Sequence, residues 1–545
     1  MRTNRISNIC RENTDGTRAF GASATKYLQF GVRLAVRQSA TGVLCALFLC
    51  ATFALAESQS TVAPVTACAD MFTVKLSNTT ISSAQIVPAS DGLPEYCSVV
   101  GVIKPAVNFE VRLPANWNGK MYFRGNGGFG GHIVFNTSLG LSRGYATVGT
   151  DLGHQSPDIS DGSWALNNRA GEIDFGYRAV HVSTVIGKAI IRRYYGSSPS
   201  HSYFEGCSNG GRLGVQEAER YPQDFDGIIA GAPDIDFTGL MINFNWDMQA
   251  LHSTNRRSDI TPDKLPLIGA AVLAACDAID GLVDGLIDDP RKCEFNPNTL
   301  LCKGEDAPNC LTRRQVDALQ KIYAGPHTSD GKRIYPGFAR GGETPDASFN
   351  GFDVWLLSTS DFPSAGFFFQ NQFFRYLAFK DDDPTYYWGK FDFDTDPQRT
   401  EFMGKLLNTT DRSLASFDQA GGKLLIYQGW SDFAMTPFRT IEFYKTIQQD
   451  LGSERTDNFA RLFMAPGMFH CFGGPGPDTF DYLTALERWV EKGSAPKSMV
   501  ARHFDETGRL DRTRPLCAFP QVARYKGTGS VDRASSFQCV QPPSD

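Results

Sequence analysis

The residues best suited to chemistry are Gly206-Cys207-Ser208-Asn209-Gly210. They fit G-x-S-x-G and sit between a strand-like run, Ser202 to Gly206, and a helix-like run, Arg212 to Tyr221. A tight turn there needs small residues on either side of the serine. It lifts the hydroxyl above a sheet and aims the next amide, that of Asn209, where a tetrahedral oxyanion would form. Outside that setting the same letters are a Gly-rich turn with an incidental serine. A serine nucleophile needs a base, and the base needs an orienting acid. Serine hydrolases built on a strand–turn–helix elbow place them in the chain order Ser, acid, His. Beyond residue 414 two histidines remain, His470 and His503. His470 follows the apolar run Ala460 to Met464 and a Pro466-Gly467 turn, where a loop at the end of a strand would lie. His503 lies in a polar stretch and reads as a surface residue. Asp432 follows the strand-like Lys423 to Tyr427 and could accept the imidazole's second N–H; it could equally cap a turn.

These residues need a scaffold. From about Val99 to Pro233 strand-like and helix-like stretches alternate, with Lys120 to Phe123, Tyr145 to Thr150 and Gly227 to Ala230 as further strands. Glu172 to Tyr195 reads as a helix, with Val182, Val185, Ile186, Ala189 and Ile190 on one face and Gly196 as its stop. Such alternation predicts an α/β class with a parallel sheet covered on both faces. Residues 234–414 break the pattern. They are rich in Asp, Pro, Asn and aromatics and read as an insertion capping a discontinuous core of 57–233 and 415–545.

The chain has 545 residues, 41% hydrophobic and 21% charged, with a net charge of -6. That composition excludes a disordered or multi-span membrane chain, and the charge gives no basic surface for nucleic acid. Residues 1–56 read as an export leader: a basic stretch, the apolar run Thr41 to Ala56, and a small-x-small end at Ala54-Leu55-Ala56. The run is short for a membrane span, which needs about 20 apolar residues, so no membrane association is expected after cleavage. A secreted or periplasmic location follows. Of 13 cysteines, Cys10, Cys45 and Cys50 precede that point, and the remainder is even in number, as disulfides require. Position suggests the couples Cys68–Cys97, Cys276–Cys293, Cys302–Cys310 and Cys517–Cys539, leaving Cys207 and Cys471 to each other. Sequence alone does not fix this connectivity. A Cys207–Cys471 bridge would tether the residues next to Ser208 and His470. Asn78, Asn136 and Asn408 begin glycosylation sequons.

Four segments carry a family resemblance: Gly206 to Arg212, Gly227 to Pro233, Gly429-Trp430-Ser431-Asp432, and Pro466 to Cys471. With the cysteine couples they make the chain similar to the tannase and feruloyl esterase family of serine hydrolases, which includes terephthalate monoester hydrolases. The resemblance runs from about Cys68 to Cys539. It implies an α/β-hydrolase core with a large inserted lid domain over 234–414. It further implies Ser208 as nucleophile, His470 as base, Asp432 as orienting acid and the five disulfides above. The amides of Asn209 and Gly128 would be the oxyanion donors, with Gly127 next in line.

The loop Cys276 to Asp288 has three carboxylates at Asp277, Asp280 and Asp284 and two glycines, but not the spacing of an EF-hand. From its residues it is a solvated acidic loop or a site for a hard cation. The resemblance implies structural calcium, held by Asp277, Asp280 and Asp284 side chains and by the Leu282 and Leu286 carbonyls. No organic cofactor is implied. The aromatic run Phe367 to Tyr376, with Trp355, suits a flat acyl group, though most of it would be lid core. The family's substrates imply a carboxylic ester hydrolase acting on small esters of hydroxycinnamic or gallic acids. The alternatives are terephthalate monoesters or a non-catalytic binding protein of the same fold. Gln428 stands where many members have histidine, and Arg375 is offset from the lid arginine that grips a terephthalate carboxylate. Both place terephthalate second. The sequence does not fix the oligomeric state.

Overall fold

The structure, a computed structural model, describes residues 61–134, 138–252, 259–358, 363–410 and 413–542. The leader expected over 1–56 and the sequon asparagine Asn136 lie outside the described residues.

Nine strands form one sheet: β1 (Thr79–Val87), β2 (Tyr96–Ile103), β3 (Val107–Pro114), β4 (Lys120–Arg124), β5 (Ala146–Thr150), β6 (His201–Cys207), β7 (Gly227–Gly231), β8 (Lys423–Gly429) and β9 (Ala460–Ala465). Their spatial order is β1-β2-β3-β5-β4-β6-β7-β8-β9. From β5 across to β9 all neighbours are parallel. The expected parallel sheet is therefore extended at one edge, because β1, β2 and β3 pair antiparallel with each other and β3 with β5. The links from β1 to β2 and from β2 to β3 are too short for a parallel crossover, which leaves antiparallel pairing there.

Successive residues of the central strands enter different cores. Phe204, Ile228, Leu424 and Leu462 belong to one buried cluster. Their neighbours Tyr203, Ile229, Leu425 and Phe463 belong to the other, packed under Leu483, Leu486 and Trp489 of the helix Tyr482–Lys492. Both sheet faces are thus covered, which is why these strands read as continuous apolar runs.

The helix Ala179–Tyr195 ends at Gly196, whose φ of 76° is the left-handed cap expected of it. Its buried face differs in part from the apolar periodicity. Val185 is 48% exposed, while Ser183 and Gly187 are buried. The helix approaches β5 so closely that a Cβ on Gly187 would lie 2.8 Å from Val148. Ile186 and Ile190 are buried as the periodicity predicts, with Val180 and Ile191 beside them, while the small residues Ser183 and Gly187 complete a face that a search for large apolar residues finds only in part.

Between β7 and β8 the chain makes the excursion of residues 234–414, then returns to pair Gly231 with Tyr427. Its described residues add helices and short 3-10 turns but no strand of the sheet. The side chain of Asn408 donates to Asp236 and Thr238 and accepts from the Thr238 amide, so this sequon asparagine is engaged within the fold. Among the described residues no helix is long and apolar enough to cross a membrane.

Candidate active site

Because β4 and β6 to β9 run parallel, their following loops open at one edge of the sheet, the usual place for a ligand in such sheets. These loops carry the Gly125–Gly131 run, Ser208, Asp234, Asp432 and His470. Ser208 follows β6 directly and has φ 64° and ψ -130°, outside the regions open to ordinary residues. The turn is crowded. A Cβ on Gly206 would lie 2.5 Å from the Gly210 backbone, and one on Gly211 2.5 Å from the Gly231 carbonyl. The small residues around the serine are therefore sterically required. Ala232 and Cys471 also have positive φ, so three strained non-glycine residues gather here, as functional sites tend to show.

His470 Nδ1 and Asp432 Oδ2 lie 2.9 Å apart, and both side chains are buried. Asp432 Oδ1 accepts the amides of Ala434 and Met435, each at 2.8 Å, and Oδ2 also accepts Gln428 Nε2 at 2.9 Å. Four donors thus fix this carboxylate as an acceptor aimed at the imidazole. Gln428 is buried too, and Thr440 Oγ1 donates to its Oε1 at 2.9 Å. Its place is behind the acid; it does not line the cavity in front, where the sequence had set its influence.

Cys207 and Cys471 form a disulfide. The four other bridges are Cys68–Cys97, Cys276–Cys293, Cys302–Cys310 and Cys517–Cys539, as the sequence suggested. Ser208 and His470 line one cavity of about 150 Å³, together with Asn209, Gly127 and Gly128. The amide of Asn209 is the first of its helix, Asn209–Arg220, and so has no intrahelical acceptor. Asn209 Nδ2 donates to the Asn126 carbonyl at 3.1 Å, tying this helix start to the glycine loop, and Arg212 Nε donates to Asn209 Oδ1 at 2.8 Å.

The cavity walls are mostly apolar. The helix Phe237–Leu251 presents Phe237, Leu240, Met241 and Phe244, one helical face. Trp355 and Phe369 come from the later lid helices, and the Trp355 ring meets His470 edge-on with centroids 5.1 Å apart. Asn350 steadies this contact: it donates to the His470 carbonyl at 2.5 Å and accepts Trp355 Nε1 at 3.0 Å. Of the aromatic run Phe367 to Tyr376 only Phe369 reaches the cavity; Phe373 and Phe374 are buried in the hydrophobic core that also holds Phe204 and Ile228. Arg375 Nε donates to the Pro384 carbonyl at 2.5 Å, and the residue is not part of the cavity wall.

Asp234 was not singled out by sequence reasoning. It lines the cavity and is 2% exposed, and burial pushes its carboxyl up to about 8, with Arg212 acting in the opposite direction. His503 pairs with Asp511 at 2.7 Å in an outlying hairpin, as a surface residue would.

In the acidic loop Asp277 accepts the amides of Asp284 and Gly285, and Asp280 accepts that of Leu282. Buried Asp288 is raised well above an ordinary carboxyl by burial and by the charges of Asp280 and Asp284. Arg514 pairs with Asp284. Arg512 also donates to the Asp284 carbonyl at 3.0 Å, so two arginines stand among four carboxylates; the set still leaves negative charge on hard oxygen donors, which fits a calcium-type cation. A different group, His181, Glu217 and Asp224, places its ligand-type atoms within 4.8 Å of one another on the helix layer.

The family description "Tannase and feruloyl esterase" matches residues 93–540. The chain belongs to the tannase and feruloyl esterase family. It is 36% identical to an uncharacterized esterase of Xanthomonas campestris, covering 90% of this chain and 94% of that protein. It is 34% identical to the mono(2-hydroxyethyl) terephthalate hydrolase of Piscinibacter sakaiensis, covering 85% and 87%. Among solved structures it resembles feruloyl esterase B from Aspergillus oryzae, with TM-score 0.77 and 25% identity, covering 87% of this chain and all of that one. The fold is that of the α/β hydrolases, and the protein is a carboxylic ester hydrolase.

Proposed function

We propose that this member of the tannase and feruloyl esterase family is an exported esterase that cleaves esters of hydroxycinnamic or gallic acids through an acyl-enzyme. The observation carrying the reading is the 2.9 Å contact of His470 Nδ1 with Asp432 Oδ2, in a cavity that His470 shares with Ser208. His470 takes the Ser208 proton as Oγ attacks the ester carbonyl, and the C–O bond to the alcohol breaks as His470 returns the proton to that oxygen. Asp432 holds the imidazole and stabilises its charged form. The amides of Asn209 and Gly128 receive the oxyanion. Water, deprotonated by His470, then releases the acid and restores the serine.

The aromatic cavity supports an aromatic acyl group. Terephthalate monoesters stand second, because Arg375 is held at Pro384 and away from the wall. A calcium ion bound by Asp277, Asp280, Asp284 and the Leu282 and Leu286 carbonyls would have a structural part, and no step passes through it. The test is Ser208→Ala with methyl ferulate, methyl gallate and the terephthalate monoester. The variant is expected to keep the wild-type melting temperature and lose turnover on every ester. Full turnover by Ser208→Ala would overturn the assignment.

A further inference from the structure

Asp234 is a carboxyl group in a mostly aromatic and aliphatic wall. It follows Gly231-Ala232-Pro233 at the end of β7, and its amide reaches the Ser208 carbonyl at 3.3 Å, which sets it beside the nucleophile loop. Its Oδ1 is buried without a hydrogen-bond partner among the described residues. A buried oxygen in that state carries a large desolvation cost and calls for a reason. The nearby cation does not supply one. Arg212 donates through Nε to Asn209, through one terminal nitrogen to the Gly176 and Leu407 carbonyls, and through the other to the Phe175 carbonyl. Its charge attracts Asp234, but these donors point elsewhere. Arg124, the arginine that lines the cavity, pairs with Glu205 through one terminal nitrogen, and its Nε is buried without a partner among the described residues.

We propose that the Asp234 carboxyl is the hydrogen-bond partner of a ring hydroxyl on the acyl group, so that the cavity selects phenolic acids over unsubstituted rings and over rings that carry a carboxylate. The inference rests on the proposed cleavage of aromatic esters and adds the determinant of acyl choice. A phenolic hydroxyl both donates and accepts. It therefore pairs with Asp234 in either protonation state. A ring carboxylate placed at Asp234 sets a second negative charge beside the first. The Asp234 carboxyl at the cavity wall is the group such a hydroxyl would meet, with the ring lying among Phe237, Phe244, Trp355 and Phe369.

The test compares kcat/KM for methyl p-coumarate, methyl cinnamate and the terephthalate monoester in the wild type, Asp234→Leu and Asp234→Asn. The wild type is expected to favour p-coumarate over cinnamate by about tenfold or more, the scale of one hydrogen bond to a buried polar group. Asp234→Leu is expected to bring that ratio to near one, and Asp234→Asn, which still offers a polar partner, to keep most of it. A ratio unchanged in Asp234→Leu overturns the proposal. So does a wild-type preference for the terephthalate monoester that Asp234→Leu abolishes, since Asp234 would then be gripping a carboxylate. If Asp234→Leu does not fold, inhibition of the wild type by the free acids decides: p-coumarate should bind about tenfold tighter than cinnamate, and equal binding overturns the proposal. Equal turnover of cinnamate and p-coumarate would remove the role of Asp234 and leave the esterase reading standing. Failure to cleave any aromatic ester, with p-nitrophenyl acetate still hydrolysed, would remove both.

Discussion

Gln428 Nε2 donates to the same Oδ2 of Asp432 that faces His470 Nδ1. The amide therefore competes with nothing; it holds the acid in the rotamer that the imidazole needs. Changing Gln428→Glu turns the donor into a like charge next to Asp432. We expect kcat to fall by about 100-fold at pH 7 with KM little altered, since the imidazolium loses a well-placed counter-charge. The measurement is steady-state kinetics on a soluble phenyl ester. A kcat within twofold of wild type would show that Asp432 needs no such support.

The Cys207–Cys471 bridge closes 264 residues of chain beside both reacting side chains. Loop-closure entropy for a span of that size corresponds to about 5.6 kcal/mol. The double variant Cys207→Ser, Cys471→Ser should melt well below wild type and lose kcat even at temperatures where it is folded. Chemical denaturation and kinetics at 20 °C separate the two effects. Loss of stability with kcat intact would leave the bridge a purely structural tie.

Calcium in the acidic loop would bind the folded chain alone. Free calcium at about 100 times its Kd should then add roughly 2.7 kcal/mol. We expect chelation to lower the melting temperature, calcium but not magnesium at equal concentration to restore it, and Asp280→Asn to blunt the response. A melting temperature indifferent to chelator and to added calcium would exclude a calcium contribution.

His154 gives the pH dependence a sign. It is 7% exposed, stacks on Trp164 with centroids 3.8 Å apart, and burial lowers its pKa to about 4. The unfolded chain, with an ordinary histidine near 6.5, binds more protons than the folded one between these values. Its stabilising contribution is thus complete above pH 6.5 and lost as pH falls toward 4. The loss amounts to at most about 3 kcal/mol. Urea unfolding at pH 7 and pH 5 should show a smaller drop for His154→Gln than for wild type. Equal drops would mean that His154 protonates freely in the folded protein.

The parts legible in the sequence were those whose chemistry leaves a local trace. Ser208 announces itself because Gly206 and Gly210 must be small for the turn to close. The strands β6 to β9 announce themselves because burial on both faces demands unbroken apolar runs. The face of the helix Ala179–Tyr195 did so only in part: Ile186 and Ile190 are buried, but the close approach of Gly187 to Val148 of β5 depends on size and not on hydrophobicity. Arg212 shows in the sequence only as the end of the Gly206 to Arg212 segment; its role does not, because its partners are carbonyls of Phe175, Gly176 and Leu407, brought in by tertiary folding. Asp234 is one carboxylate after a turn. Only the cavity around it reveals that its oxygen is stranded.

The excursion of residues 234–414 departs from β7 and returns to β8, and these two strands are hydrogen-bonded neighbours. It leaves at the C-terminal end of β7 and re-enters before the N-terminal start of β8, so its two ends are anchored at opposite edges of a rigid frame. A graft of this whole span from a relative would meet the same two anchor points, so acyl preference could be exchanged as a cassette while the nucleophile, base and acid stayed where the frame holds them.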